Sequence, residues 1–356
     1  MTPRLAARIA VLAGLLALTL GGLLATSCDR KPRLVPPSAD SLAIRSDSLG
    51  ILSRMAGQMW SDGRNDEAAT VSARVLRMRL ANVPQANWAD FSRTLLDSLG
   101  VAAEVAGQGP VLAVNQFSRI EQGRTWPYLF WREGRDVRVQ VIEGRGMQLV
   151  DATARTFTGD QAGDSSQVAV LWARKAGLGE QPLLVTWRHA TGGRWDLGQT
   201  LGPDSLGGTG NGHFRDSTLV TQTWRATPYF DENCSSCPHV MHERIFRWGA
   251  QGFERVDDRV LTTPYTVFTE LIIALVNGDN ETALRRLADP SLVAFARRLD
   301  WHDPARGRWR AAPTTDPRAT SIVFYRGRTD AYRVTFQARG EEWVVLGFEA
   351  VTRSAE

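Results

Sequence analysis

The chain is 356 residues long and carries 42 Lys and Arg against 38 Asp and Glu, a formal net charge of +4. Two of the positive charges, Arg4 and Arg8, sit at the extreme N-terminus, and without them the balance is only +2, so the basic composition is no signature of a nucleic-acid partner. The length allows two or three domains. Arg4 and Arg8 precede an apolar run of 16 residues, Ile9 to Leu24. At ~1.5 Å per residue such a run falls short of a ~30 Å hydrocarbon core. Ala25-Thr26-Ser27 closes it and Cys28 follows at once. A positive start, a short apolar stretch and a small-residue exit predict a signal peptide over residues 1–27.

Cys28 directly after those small residues resembles the lipobox of bacterial lipoproteins, with Ala25 standing where Leu is usual. The resemblance implies that Cys28 receives a diacylglycerol and becomes the new N-terminus, so palmitate is an expected label. It also implies that the folded part lies outside the cytoplasm, tethered by lipid to a membrane of the bacterial cell envelope. Two or three acyl chains, at ~0.8 kcal/mol per buried methylene, make such an anchor effectively permanent. Asp29 matches the residue that favours inner-membrane retention in lipoproteins of enteric bacteria. Residues 28–40, with three prolines and three basic residues, read as an extended, solvated linker.

Residues 41–100 read as a short helical segment. Leu49, Leu52, Met55, Ala56 and Met59 fall on one helical face, and Asp62-Gly63-Arg64-Asn65 interrupts it. Ala68 to Leu80 continues, with Ala68, Val71, Val75 and Met78 on one side, and Pro84 ends it. A third helix runs from Asn87-Trp88 to Leu99 and is closed by Gly100. The antiparallel plan resembles a tetratricopeptide unit, without its repeat signature.

Residues 101–261 change character. Short β-branched and aromatic runs, among them Val111–Val114, Tyr128–Trp131, Val137–Val141, Val168–Trp172, Leu183–Trp187 and Thr218–Trp224, alternate with Gly, Asp and Pro, which predicts an all-β domain. An echo recurs around Trp131-Arg132-Glu133-Gly134, Trp187-Arg188…Gly192-Gly193-Arg194-Trp195 and Trp248…Gly252-Phe253. Each copy is an aromatic strand end, a glycine turn and a returning strand. The echo resembles β-propeller blades or a long meander, with a sandwich-like sheet as the other arrangement.

Residues 262–356 predict an α+β domain. Thr263-Pro264 starts a helix through Phe268, Leu271, Ile272 and Leu275, and Asn277-Gly278 stops it. Asp279 or Asn280 and Asp289-Pro290 start two shorter helices. Strands follow at Ser321–Arg326, around Tyr332–Ala338, and at Trp343–Val351. Helices followed by a curved antiparallel sheet resemble the cone-shaped nuclear-transport-factor-two-like (NTF2-like) fold. That resemblance implies a pocket between helix and sheet, lined by Trp301, His302, Trp309, Tyr325 and Tyr332. Asp300, His302 and Asp303 are its acid–base candidates.

The densest chemistry is Cys234-Ser-Ser-Cys237-Pro-His239-Val-Met-His242. With Cys28 acylated, two thiols remain, in an oxidising compartment and at i,i+3 spacing. They are expected to form a disulfide that clips a small loop, contributing about 2 kcal/mol. The alternative is a zinc site of Cys234, Cys237, His239 and His242. A strand through the two histidines sends them to opposite faces. A thioredoxin-type pair needs a helix N-terminus, which Pro238 and the following strand argue against. His242-Glu243 lacks the second His of a zinc-protease helix, since Phe246 stands there. The glycine-rich run Gly207–His213 lacks the Lys-Ser/Thr of a phosphate loop and reads as a flexible loop.

No complete catalytic motif emerges. The expectation is therefore a non-enzymatic binding or interaction role, without a cofactor, toward an envelope protein or glycan. The alternatives are an envelope enzyme or metal-binding protein using the Cys/His loop or the C-terminal pocket, and a peptidoglycan or glycan binder. The glycan reading requires Trp126, Trp131, Trp187 and Trp195 to form a solvent-facing row.

Overall fold

The computed structural model describes residues 39–107, 110–121, 123–157, 165–174, 182–232, 237–314 and 316–353. The chain divides into two compact units, Met1–Ser48 and Leu49–Glu356. Among the described residues three helices lead: α1 (Ala39–Ser61), α2 (Asn65–Leu80) and α3 (Trp88–Ser98). Breaks fall where local chemistry requires them, with Gly63 and Gly100 in left-handed conformations at φ 74° and 69°.

Twelve strands follow as three consecutive four-stranded antiparallel meanders. The first sheet is β1 (Ala103–Ala106), β2 (Val111–Phe117), β3 (Thr125–Glu133) and β4 (Asp136–Val141). The second is β5 (Gln148–Phe157), β6 (Ser165–Ala173), β7 (Leu183–Thr191) and β8 (Arg194–Leu201). A single turn, α4 (Pro203–Leu206), leads to the third: β9 (Thr209–Arg215), β10 (Thr218–Trp224), β11 (His242–Gly249) and β12 (Gly252–Val260). The sequence echo is the third-to-fourth-strand hairpin of each sheet.

The runs Val111–Val114 and Val168–Trp172 are apolar without interruption because both faces are buried. In β2, Leu112 and Val114 join Leu76, Leu80 and Leu96 of the helices, whereas Val111 and Ala113 join Val168, Val170 and Trp172 of the second sheet. In β6, Ala169 and Leu171 face Phe214, Leu219 and Phe246 of the third sheet. The second sheet is thus sandwiched between its neighbours. Side chains also lock sheet to sheet. Glu104 Oε2 accepts from Leu149 N at 2.6 Å, and Asp151 Oδ2 accepts from Phe214 N at 2.9 Å. On the outer strands Gln140 Oε1 accepts from Trp195 N and Gln199 Oε1 from Phe253 N, both at 2.9 Å.

The Gly207–His213 run is not the expected loop. Gly207 ends α4 at φ 102°, and Thr209 to His213 lie within β9. The glycines permit close approach: a Cβ on Gly210 would stand 2.1 Å from Gln222 O, and one on Gly207 would stand 1.4 Å from the Arg244 guanidinium.

The C-terminal part places α5 (Pro264–Asn277), α6 (Asn280–Arg285) and α7 (Ser291–Arg298) with a fourth sheet, β13 (Trp309–Ala311), β14 (Ser321–Arg326), β15 (Asp330–Arg339) and β16 (Glu342–Ala350). Thr263 caps α5 by accepting from Thr266 N, Gly278 ends it at φ 73°, and Asp279 accepts from Thr282 N to start α6. The connection between β10 and β11 enters this region. Trp309 N donates to Tyr229 O at 2.8 Å, Asp231 N donates to Trp309 O at 2.7 Å, and Phe230 is buried in the C-terminal core. Residues 229–231 therefore extend the fourth sheet beyond β13.

Candidate functional site

Between the first two sheets, at the end where the β3–β4 and β7–β8 hairpins turn, lies a cleft of about 280 Å³. Trp131, from the end of β3, and Trp195, from the start of β8, meet edge to face with ring centroids 6.1 Å apart. Gln140 clamps Trp195 in place: its amide accepts from Trp195 N and donates to Trp195 O, both at 2.9 Å. The tight turn before it is built from Gly192 and Gly193, at φ 54° and 78°.

The cleft is rich in donors. Among the described residues Arg132, Arg155, Arg194 and Glu133 are its charged lining, and Arg155 also donates through Nη1 to Trp248 O at 3.5 Å. Glu133 Oε2 already accepts from Arg138 Nε at 2.8 Å. Arg132 turns toward the helices, donating to Leu80 O and Val83 O at 3.3 and 3.1 Å. Arg194 pairs with Asp196 through Nε at 3.0 Å, and its side chain is 69% exposed. Trp195 is buried, and its indole Nε1 has no hydrogen-bond partner among the described residues. On β7, two residues before the cleft-lining Ala190, Arg188 is almost completely buried and ion-paired with Glu143. Burial pulls the Arg188 guanidinium down to about 10, with Asp196 opposing. It remains a cation at neutral pH.

The residues expected to carry chemistry lie elsewhere. Cys28 and Cys234 fall outside the described residues. Cys237 is disulfide-bonded, so the pairing expected with Cys234 rests on a partner outside the described residues. His239 stacks on Trp224, ring centroids 3.6 Å apart and planes 8° from parallel. His242 Nδ1 instead lies 3.5 Å from Asp258 Oδ1. Burial opposes the Asp258 carboxylate, but Arg244 and His242 outweigh it and hold Asp258 below the usual range. Among the described residues no group of three or more His, Cys, Asp or Glu is placed to hold a metal ion.

The five residues expected to line a C-terminal pocket are not brought to one wall. Trp301, Trp309 and Tyr332 pack on one another, with centroids 5.2 to 5.8 Å apart, and fill the interior. Tyr325 carries Arg310 and Arg353 over its ring at 5.3 and 5.0 Å. His302 is exposed. Asp300 is committed to Arg306 at 2.5 Å, and Asp303 Oδ1 accepts from Ala305 N at 2.9 Å. Trp126, Trp131, Trp187 and Trp195 are all buried, none more than 9% exposed, so they form no solvent-facing row. Trp131, Trp187 and Trp195 are walls between sheets, and Trp126 packs against the leading helices, placements that β-strand alternation alone does not distinguish from a solvent face.

Sequence reasoning missed the cleft, the Gln140 clamp on Trp195 beside it, and the Asp151 and Gln199 locks between the second and third sheets. The usable signal was the Gly192-Gly193 turn set between Trp187 and Trp195. Comparisons with protein-family models, with curated proteins and with solved structures each find no match.

Proposed function

We propose that this chain is a lipid-anchored, extracytoplasmic protein of a bacterial cell envelope, with a binding rather than a catalytic role. Its address rests on the N-terminal segment, in which Arg4 and Arg8, the Ile9–Leu24 run and Ala25-Thr26-Ser27 precede Cys28. Among the described residues no helix is long and apolar enough to cross a membrane. The binding role rests on one observation, the donor-rich cleft between the first two sheets. Its carboxylate, Glu133, is bonded to Arg138, which leaves aromatic and cationic groups suited to recognition. Partners in this reading are the membrane, through lipid on Cys28, and an envelope component, protein or glycan.

Three stacked meanders in series support a blade-like reading of residues 101–261 over a two-sheet sandwich. Three helices ahead of a four-stranded sheet support the NTF2-like reading of residues 262–356. The Cys234–Cys237 disulfide would clip the return leg of the connection that carries Phe230 into the C-terminal core. Membrane fractionation and palmitate labelling test the address. Wild type is expected to label and to sediment with membranes. Cys28→Ala is expected to lose the label, and equal labelling of both would sink the proposal.

A further inference from the structure

We propose that the corner of the fourth sheet where two Arg-Gly-Arg triplets meet binds a phosphomonoester dianion through Arg308 and Arg328. The site lies in the C-terminal region, outside the cleft described above. The triplets are Arg306-Gly307-Arg308, leading into β13, and Arg326-Gly327-Arg328, between β14 and β15. Trp309 pairs with Arg326 across the two strands, and Gly327 N donates to Arg308 O at 3.1 Å. This register sets glycine against glycine, at φ 110° and 55°. A Cβ on Gly307 would stand 2.8 Å from Gly327 Cα, and one on Gly327 would stand 2.7 Å from Arg306 O. Residues without Cβ let the two backbones approach this closely. The approach puts the arginine that follows each glycine at one corner of the sheet.

The first arginine of each triplet is already engaged. Arg326 is buried, donates to Leu299 O and Asp303 O, and lies 5.2 Å over the Trp309 ring. Arg306 is ion-paired with Asp300. The second arginines differ. Arg308 and Arg328 are exposed, and neither side chain has a hydrogen bond or ion pair among the described residues. The other acidic groups nearby have partners of their own: Asp303 accepts from Ala305 N and Asp330 from Thr329 Oγ1, both at 2.9 Å. Arg353 adds a further positive charge beside the crossing, donating to Gly327 O at 3.0 Å with its guanidinium 5.0 Å over the Tyr325 ring. The backbone thus gathers like charges with no carboxylate bonded to the outer pair, and an anion at the corner relieves their repulsion. Two guanidinium forks offer more donors than the two oxygens of a singly charged carboxylate can use. A phosphomonoester brings about two charges and three acceptor oxygens, which matches them.

The test titrates the full-length chain, in zwitterionic detergent micelles at low ionic strength, with glycerol phosphate, and phosphorus NMR reads the binding. Saturable binding is expected that acetate at matched ionic strength does not displace. Arg308→Gln and Arg328→Gln are each expected to weaken it by about threefold, less at high salt than at low salt. Arg333→Gln removes the same charge from the same sheet, at an arginine already paired with Glu349 at 2.8 Å, and is expected to leave the affinity unchanged. Gly327→Ala keeps every charge but drives the two backbones apart, and is expected to weaken binding as an arginine loss does. The arginine variants carry the test should the glycine variant fail to fold. Micelles doped with phosphatidate present the same group on a lipid. Displacement of glycerol phosphate by doped micelles assigns a lipid headgroup, and its absence assigns a soluble ester; either keeps the site. No saturable binding, equal displacement by acetate, an equal loss in Arg333→Gln, or affinity unchanged in the folded Arg308 and Arg328 variants would each overturn the proposal.

Discussion

Trp187 and Trp248, on the third strands of the second and third sheets, donate their indole N–H groups to the same oxygen. Gln167 Oε1 receives them at 2.6 and 2.9 Å, and Gln167 Nε2 donates to Ala250 O at 2.8 Å. One buried amide therefore satisfies two indoles and a hairpin carbonyl at the interface between sheets. Gln167→Ala takes this partner from two buried indole N–H groups and from the carbonyl of the exposed Ala250, and a loss of about 3 kcal/mol is expected. Urea unfolding measures it. A loss below about 1 kcal/mol would show that water replaces the amide.

Gly198 on β8 lies against the ring of Trp187, where a Cβ would stand 1.8 Å from Cζ3. Gly198→Ala is expected to cost about 1–3 kcal/mol, since the indole must leave its packed rotamer. Gly202, where a Cβ meets nothing within 4 Å, is the control, and Gly202→Ala is expected to stay within about 0.5 kcal/mol of wild type. Thermal melts of the two variants side by side decide between a specific clash and general glycine sensitivity.

Phe230 meets Tyr265 and Phe268 of α5 edge to face, at 5.8 and 6.1 Å. Its truncation in Phe230→Ala is expected to cost about 3–5 kcal/mol. The effect should concentrate in the C-terminal region, because the side chain leaves that core and not the sheet interfaces. Hydrogen exchange is expected to accelerate in α5 and β13 while β6 and β7 keep their protection. Uniform acceleration would show that the connection stabilises the whole unit equally.

Tyr265 donates to the buried Glu232 carboxylate at 2.6 Å, and Glu232 also accepts from Thr227 N and Oγ1 at 2.8 and 3.0 Å. Burial first, then the Glu232 charge and hydrogen bond, push the tyrosine hydroxyl far above its ordinary value of 10. The folded state then holds a proton that the unfolded state releases. The contribution is fully present below pH ~10 and declines as pH rises beyond it. Tyr265→Phe is expected to lose about 1.5–3 kcal/mol at neutral pH. Above pH ~10 its stability should fall less steeply than wild type's. The difference between the two pH profiles isolates this group from Tyr128 and Tyr332, whose hydroxyls burial also raises. Parallel profiles would contradict the assignment.

Helix ends were legible because they are local. The Thr263 cap with Pro264, the Gly278 stop and the Asp279 cap act within one turn of the backbone they serve. Asp289 also acts locally, accepting from Ser291 N and Oγ. The runs Val111–Val114 and Val168–Trp172 were legible because burial on both faces removes polar interruptions, and Val137–Val141 and Thr218–Trp224 because they alternate. The buried face of α2 was legible only in part. Ala68 and Val75 are buried as expected, but Val71 and Met78 are only partly buried, and Ala69, Ser72, Ala73 and Leu76 are buried as well. Small residues let the helix approach the first sheet closely, and Ser72 accepts from Trp60 Nε1 at 3.1 Å.

By itself the sequence determined the helix ends of the C-terminal region and the apolar strand runs, and it supplies the N-terminal pattern behind the proposed address. These are short-range properties of caps, glycines and apolar period. Tertiary structure alone decided what each strand face meets. Alternation puts Trp131, Trp187 and Trp195 on one side or the other of a sheet, but only the stacking of three meanders makes those sides interior. It also decided that Gln140, Gln167 and Gln199 are locks, since an amide on a strand reads as surface until another backbone or indole arrives to bond it. Phe230 shows the limit most plainly. Its partners, α5 and β13, lie beyond β11 and β12 in the chain, and a contact formed across so many intervening residues leaves no local pattern by which to recognise it.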